Sequence, residues 1–342
     1  MSADYRSPTY YELAAPPELD WRPYRPESYL DYRAEWARRG ETGRAGDFPL
    51  HIDIDPTNRC NLRCAMCPRT YYLEQNNEKW APHGLGDMDF SLFIRLIEEG
   101  QNKGLRSVKL NFLGEPLLYP KITDLVRLAN DAGLWVMLNT NAVLLTERMS
   151  RDLLQAGLTD IFFSFDSPYK NEYEKIRTGA DYDKVLANIA RFMEIKEKGG
   201  YKAVQTRASL VLPADPARHE TIKEDFIRLF RNLKVAEIGF GLPTVMGRDY
   251  EPENPDRFLC PDLFRRLFVY WDGVVGPCCG DWERNIDLGR VEGEIKVAEM
   301  WQSQKYRALR EFHKNGQYKR IPACAHCSVP FLSTVEVLPA VT

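Results

Sequence analysis

From about residue 48 the chain alternates two kinds of hydrophobic pattern. His51-Ile52-Asp53-Ile54-Asp55 changes between polar and apolar at every step, the strand period, and breaks at Pro56. Asp87 to Gly100 instead spaces Phe90, Phe93, Ile94 and Ile97 as one helical face and ends at Gly100. The same two signatures predict strands at 107–113, 134–139, 160–166, 204–212 and 235–240. Helices are predicted between them at 119–132, 146–155, 183–198 and 221–232. Strands that alternate with helices, several of them almost continuously apolar, imply an α/β fold with a parallel sheet covered on its outer face. Six strand-helix steps are too few for a closed eight-stranded barrel. Ligands of parallel sheets bind beyond the carboxyl ends of the strands, so polar residues there are the ones to inspect.

Two regions depart from this rhythm. Residues 1–47 are rich in Tyr, Pro, Arg and Glu, with one helix predicted from Glu27 to Arg39, and are expected to form an arm packed on exposed core. Near the other end, residues 267–277 predict a hairpin turning at Asp272-Gly273, followed by a helix from Met300 to His313. The expected division is an arm at 1–47, the main α/β unit at 48–245 and a smaller unit at 246–342.

At 342 residues the chain can bury a large core, and 46 basic against 49 acidic side chains leave no electrostatic footprint for nucleic acid or a membrane surface. No apolar run approaches a membrane span, and the polar start Met1-Ser2-Ala3-Asp4 is unlike a signal peptide. The expected location is the cytoplasm. There, eight cysteines argue for metal ligation before disulfides.

Three of them, Cys60, Cys64 and Cys67, form a C-x3-C-x2-C run just after the first predicted strand. Three thiolates satisfy three irons of a four-iron cluster and leave the fourth open to a small molecule, whereas electron carriers usually close all four sites. Structural zinc is the competing reading, although no further Cys or His lies close in sequence to complete a tetrahedral set.

Placed after a strand, this run resembles the signature of the radical S-adenosylmethionine (AdoMet) superfamily. The resemblance implies a partial (βα)6 TIM-like barrel, an AdoMet-binding 4Fe-4S cluster on Cys60, Cys64 and Cys67, and reductive cleavage of AdoMet to a hydrogen-abstracting 5′-deoxyadenosyl radical. It also implies a flavodoxin or ferredoxin-type reductant. Many members carry an aromatic residue before the third cysteine, where this chain has Met66 on the adenine side. Gly114-Glu115-Pro116 resembles the family's G-E-P motif, which contacts the AdoMet amino group. Asn141, Ser164 and Asp166 stand at the next strand ends, and the run from Ser164 through Arg177-Thr178-Gly179 resembles an S-x-D-S stretch followed by an R-x-G turn. The resemblance points these groups, with Ser209, at AdoMet ribose and carboxylate. Read alone, Asn, Asp and Ser equally start turns.

The other five cysteines are Cys260, Cys278, Cys279, Cys324 and Cys327. Hairpin and helix can gather Cys260, Cys278, Cys324 and Cys327 around one object, a fully ligated iron-sulfur cluster or a four-Cys zinc site. Their layout resembles the SPASM/twitch extension of radical AdoMet enzymes, which implies one auxiliary 4Fe-4S cluster. Cys279 is then spare: an alternative ligand, a buried filler or a thiol that returns a hydrogen atom to a substrate radical. The short extension resembles those of carbohydrate-acting twitch enzymes in aminoglycoside and sugar-nucleoside biosynthesis. Alcohol oxidation or diol dehydration of an aminocyclitol, amino sugar or sugar nucleoside is therefore the expected reaction, with sugar epimerisation or peptide modification as alternatives.

Overall fold

The computed structural model describes residues 11–74, 84–213, 215–241, 255–281, 283–293, 296–327 and 329–332. Its strands are β1 (Tyr11–Leu13), β2 (His51–Ile54), β3 (Ser107–Leu110), β4 (Trp135–Thr140), β5 (Asp160–Ser164), β6 (Gln205–Val211), β7 (Glu237–Gly241), β8 (Arg266–Val269) and β9 (Val275–Gly276). They form one sheet in the order β1-β7-β6-β5-β4-β3-β2-β8-β9. The run from β7 through β2 to β8 is parallel, and β1 and β9 pair antiparallel at the two edges.

The α-helices among the described residues are α1 (Glu27–Thr42), α2 (Pro68–Glu74), α3 (Phe90–Gln101), α4 (Ile122–Asp131), α5 (Glu147–Gln155), α6 (Lys170–Ile176), α7 (Tyr182–Lys198), α8 (His219–Asn232), α9 (Asp262–Arg265), α10 (Val297–Trp301), α11 (Gln304–Lys314), α12 (Pro322–Ala325) and α13 (Val329–Leu332). Capping residues set several starts: Asp89, Thr146 and Asp181 accept backbone N–H groups of α3, α5 and α7. The predicted helix 300–313 is in fact two helices. Ser303 caps α11 by accepting from the Tyr306 amide, while the Gln302 side chain turns away to the Gly46 and Asp47 carbonyls.

Strand alternation sorts side chains into a dry layer and a lumen. Ile52, Val108, Val136, Leu138, Ile161, Phe163, Ala208 and Ile238 are fully buried against the helices. Their alternates point to the other face, and in β4 Trp135, Met137 and Asn139 are half-buried while their neighbours are closed off. The sheet is thus a curved wall around a partly open chamber.

The amino-terminal arm shuts one end of that chamber, opposite the carboxyl ends of the strands. Trp21, Tyr29, Tyr32, Trp36 and Leu50 form a separate apolar cluster with Ala236. Trp21 Nε1 donates to Glu237 Oε1 at 3.1 Å, and Tyr32 shares a 2.8 Å hydrogen bond with Ser107 Oγ. The Arg25 guanidinium lies 4.5 to 4.9 Å from the rings of Trp21, Tyr29 and Trp135, pairs with Asp160 at 3.3 Å and donates to the Ala203 and Thr159 carbonyls. The arm is therefore a floor, as its expected role as a cover for core requires. The sheet itself runs past the expected boundary at 245, because β8 pairs directly with β2.

Arg25→Met strips Asp160 of its buried counter-charge and should lower unfolding stability by about 3 kcal/mol. Urea denaturation measures this; a loss below about 1 kcal/mol would mean that the arm contributes little to closing the barrel.

Candidate active site

The cysteine loop begins where β2 ends, and hydrogen bonds from separate segments hold it. On one side, the Asn58 amide donates to the Gly86 carbonyl, Asn58 Nδ2 donates to the Gly84 carbonyl at 2.8 Å, and Thr57 Oγ1 donates to Asp87 Oδ1 at 2.6 Å. On another, the Arg63 and Ala65 amides donate to the Thr178 and Ile176 carbonyls, both at 3.0 Å. The Arg69 guanidinium folds back to the Asn58 carbonyl at 2.6 Å. All three thiols are half-buried, and the charged neighbours of Cys64 are Arg177, Cys67, Asp166 and Cys60. Burial pushes the Cys64 thiol up to about 12. Metal loading must therefore displace a proton there.

The Gly114-Glu115-Pro116 turn packs directly under this loop. A Cβ on Gly114 would sit 1.8 Å from the Thr57 carbonyl oxygen and 2.8 Å from that of Arg59, so only glycine fits. The Glu115 amide donates to the Arg59 carbonyl at 2.8 Å. The Glu115 carboxylate, buried and raised by that burial, accepts from Thr140 Oγ1 at 2.7 Å, the Asn141 amide at 2.8 Å and the Leu117 amide at 3.2 Å. Pro116 opens the short turn that follows. Asn141 is thereby aimed at the loop, its Nδ2 donating to Asn61 Oδ1 at 3.0 Å and reaching Cys60 Sγ at 3.9 Å.

Asp166 and Arg177 form a buried 2.6 Å ion pair, and Asp166 Oδ1 also accepts from the Val211 amide. Burial opposes the charge on Arg177, but Asp166 outweighs it and keeps the guanidinium firmly protonated. This pair fixes the 176–178 turn that grips the cysteine loop, a positioning duty the motif reading did not anticipate. Ser164 and Ser209 face each other across β5 and β6 and stay half-buried, as does Met66.

Beneath these groups lies a layer that sequence reasoning left without a role. Asp53, Lys109 and Arg207 project from β2, β3 and β6, and Arg266 reaches in from β8 with 3.3 Å to Asp53 and 2.6 Å to Asp262. Despite burial, Arg266 and His51 hold the Asp53 carboxyl down at about 2. The available signal was a charged residue at an inward position of an otherwise apolar strand.

Four cysteines of the second group lie around one space. Cys260, Cys278, Cys324 and Cys327 line one apolar cavity of about 500 Å³, open mouth included, together with Phe258, Leu263 and Tyr318. Gly280 also lines it, and a Cβ there would make ordinary contacts of 3.7 Å with Cys278 Sγ and 4.0 Å with Cys327 Sγ. Among the described residues no three His, Cys, Asp or Glu side chains close on a single ion. Four thiols lining one apolar space are the donor set of a fully ligated iron-sulfur cluster, and equally of a four-Cys zinc site. Cys279 does not line the cavity; its charged neighbours are Arg266, Asp262, Asp53 and Lys109, in the lumen.

Two outcomes follow from this geometry. Gly114→Ala should displace the cysteine loop and weaken AdoMet binding at least about tenfold, about 1.4 kcal/mol; calorimetric titration checks it, and unchanged affinity would contradict the close approach. Burial also pushes the Asp55 carboxyl up to about 8, with Asp272 adding and Arg284 and Arg69 opposing. An unfolded Asp titrates near about 3.9, so the folded state binds this proton more tightly, and the stability it contributes at low pH is lost as pH rises towards about 8. Relative to Asp55→Asn, the wild type should lose on the order of 1 kcal/mol per pH unit between about pH 5 and pH 8 and then level off. Denaturation at stepped pH tests this, and parallel profiles would contradict it.

With the fold and both cysteine groups located, likeness to known proteins becomes informative. Residues 54–204 match the model of the radical SAM superfamily, and residues 260–328 match that of SPASM, an iron-sulfur cluster-binding domain. The tungsten-containing aldehyde ferredoxin oxidoreductase cofactor-modifying protein of Pyrococcus furiosus is 24% identical, across 84% of this chain and 90% of its own length. GTP 3′,8-cyclase of Desulforamulus reducens is 30% identical over a stretch that covers 43% of each chain. Among solved structures, BtrN in complex with AdoMet and 2-DOIA superposes with a TM-score of 0.53 at 18% identity, covering 86% of this chain and 98% of BtrN. SuiB of Streptococcus suis bound to precursor peptide SuiA gives 0.56 at 15% identity, covering 84% and 72%. Residues 54–204 thus form a radical SAM domain, and residues 260–328 form a SPASM iron-sulfur cluster-binding domain.

Proposed function

We propose that this AdoMet-dependent iron-sulfur enzyme removes a hydrogen atom from a small polyhydroxylated substrate in the barrel lumen and oxidises an alcohol there, with diol dehydration as the close variant. In this reading Cys60, Cys64 and Cys67 hold the AdoMet-binding 4Fe-4S cluster. Cys260, Cys278, Cys324 and Cys327 hold the auxiliary one. AdoMet and its cluster, once reduced by a flavodoxin or ferredoxin-type partner, supply a one-electron cleavage and a hydrogen-abstracting group.

The protein's own residues do the rest. Gly114 and the 176–178 turn keep the cysteine loop in place, and Glu115 orients Asn141 beside Cys60. Ser164 and Ser209, with Asn111 and Asn139 on the neighbouring strands, offer hydroxyl and amide groups to a polar ligand. The arm keeps bulk water out of the chamber from the opposite end.

The observation that carries the oxidative reading is the junction at Cys278-Cys279. Cys278 lines the auxiliary cavity while the next residue neighbours lumen groups, so a substrate radical and the auxiliary site are separated by one turn of chain. Such a short separation favours electron transfer out of the substrate. Likeness to BtrN, seen with AdoMet and 2-DOIA, supports a small-molecule substrate, whereas likeness to SuiB bound to a peptide supports the second reading, peptide modification. Epimerisation would instead use Cys279 as a hydrogen donor.

Replacing Cys60, Cys64 or Cys67 by Ala should abolish reductive formation of 5′-deoxyadenosine, and Cys324→Ala should keep some cleavage while losing about half the iron. Anaerobic product assays and iron analysis read both; full cleavage without one of the first three thiols would contradict the assignment. With deuterated aminocyclitols or sugar nucleosides, label should reach 5′-deoxyadenosine. A Cys279→Ala variant that changes product from epimer to ketone would move the reading to epimerisation.

A further inference from the structure

Lys109 stands out among the charged groups of the lumen. It projects from β3 opposite Asp53 on β2 and Met137 on β4, half-buried, with Arg266, Cys279 and Arg207 as its other neighbours. Its ammonium makes no hydrogen bond or ion pair with any described residue. Asp53, in register across from it, is engaged through Oδ2 by Arg266 at 3.3 Å and His51 at 3.4 Å, while its Oδ1 is buried without a hydrogen bond and favours the charged lysine only at longer range. Asp262 is likewise taken by Arg266. Two carboxylates thus share the Arg266 guanidinium, and the lysine stands on a water-poor wall with Arg207 also nearby, where burial lowers its pKa and Asp53 opposes that.

A buried charge is expensive unless it is paired, so proteins rarely leave an ammonium in such a place without use for it. Nothing in the fold requires a lysine there: Val108 and Leu110 on either side are the residues that pack the core. Lys109 sits two residues before Asn111 and therefore about 6.6 Å deeper in the lumen, at about 3.3 Å per residue. That interval suits one ring-sized unit between the ammonium and the strand ends below the cysteine loop.

We propose that the substrate carries an acidic group, a carboxylate or a phosphoryl ester, which enters first and is received by Lys109 on the lumen floor. The inference rests on the lumen being the substrate chamber, as the proposed function has it. It narrows the polyhydroxylated substrate to an acidic or phosphorylated one. The far end of such a ligand then faces the cysteine loop. No bond is made or broken at Lys109; its duty is to bind and orient.

The test uses the full chain with its clusters loaded, kept anaerobic, and two simple oxyanions as probes. Thermal unfolding is followed in inorganic phosphate, in acetate and in chloride of matched ionic strength, for the wild type, Lys109→Met and Lys109→Gln. Phosphate or acetate should raise the wild-type midpoint by about 3 °C. Both variants should unfold in chloride at the wild-type temperature or above it, because a lone buried charge has been removed, and should ignore the oxyanions. A response to acetate as well as phosphate assigns a carboxylate, and a response to phosphate alone assigns a phosphoryl group. A wild type unmoved by either anion overturns the proposal, as do variants that respond equally, or variants that are less stable in chloride because the ammonium had a protein partner. Since no turnover is involved, failure here leaves the radical chemistry standing, and that chemistry fails separately if no 5′-deoxyadenosine forms.

Discussion

The contact on which the site depends is between two stretches of backbone, residues 57–59 and Gly114, pressed together closely enough that no side chain fits between them. A loop carrying three thiols cannot keep its shape by packing alone, because half of its surface must stay open to a ligand. Its rigidity comes from outside, from the Gly114 turn, the segment near Gly86 and the 176–178 turn. Each of these lies after a different strand, so the sheet must be complete before the thiols are positioned. The motifs that look like ligand contacts in sequence are, in large part, the clamps of this loop.

The same economy shapes the rest of the barrel. A parallel sheet that does not close exposes both of its edges and both mouths of its lumen. β8 and the hairpin cover the free side of β2, β1 covers β7, and the aromatic arm fills the lower mouth around Arg25. What stays open is the upper chamber, where in β4 the half-buried Met137 and Asn139 alternate with the sealed Val136, Leu138 and Thr140. The auxiliary cysteines share a wall with that chamber because β8 is built into the sheet rather than attached to it.

How much of this could be read in advance follows from the range of each signal. Strands β2 to β7 and the longer helices between them are written in local periodicity, whereas the seven-residue α2 and α6 were not anticipated, and the C-x3-C-x2-C run is visible in eight residues. The hairpin was also legible, but its edge pairing with β2 was not, since His51 and Arg266 are joined only by the folded sheet. Gathering of Cys260, Cys278, Cys324 and Cys327 was inferable from spacing; the exclusion of Cys279 from their cavity was not, because adjacent residues point apart only once the backbone is known. The ion pair that holds Asp166 to Arg177, eleven positions on, could not be read from the motif either. Lys109 had a signal that passed unread, one charge in an inward strand position.

The central claim is that the loop of Cys60, Cys64 and Cys67 holds a cluster whose fourth iron takes AdoMet. Electron-nuclear double resonance on the reduced, cluster-loaded protein with AdoMet labelled by 15N at its amino group tests it most directly. The account predicts a strong nitrogen coupling to a single cluster, present in the wild type and in Cys324→Ala alike. Absence of any coupling, or zinc in place of iron at the three thiols, would contradict it.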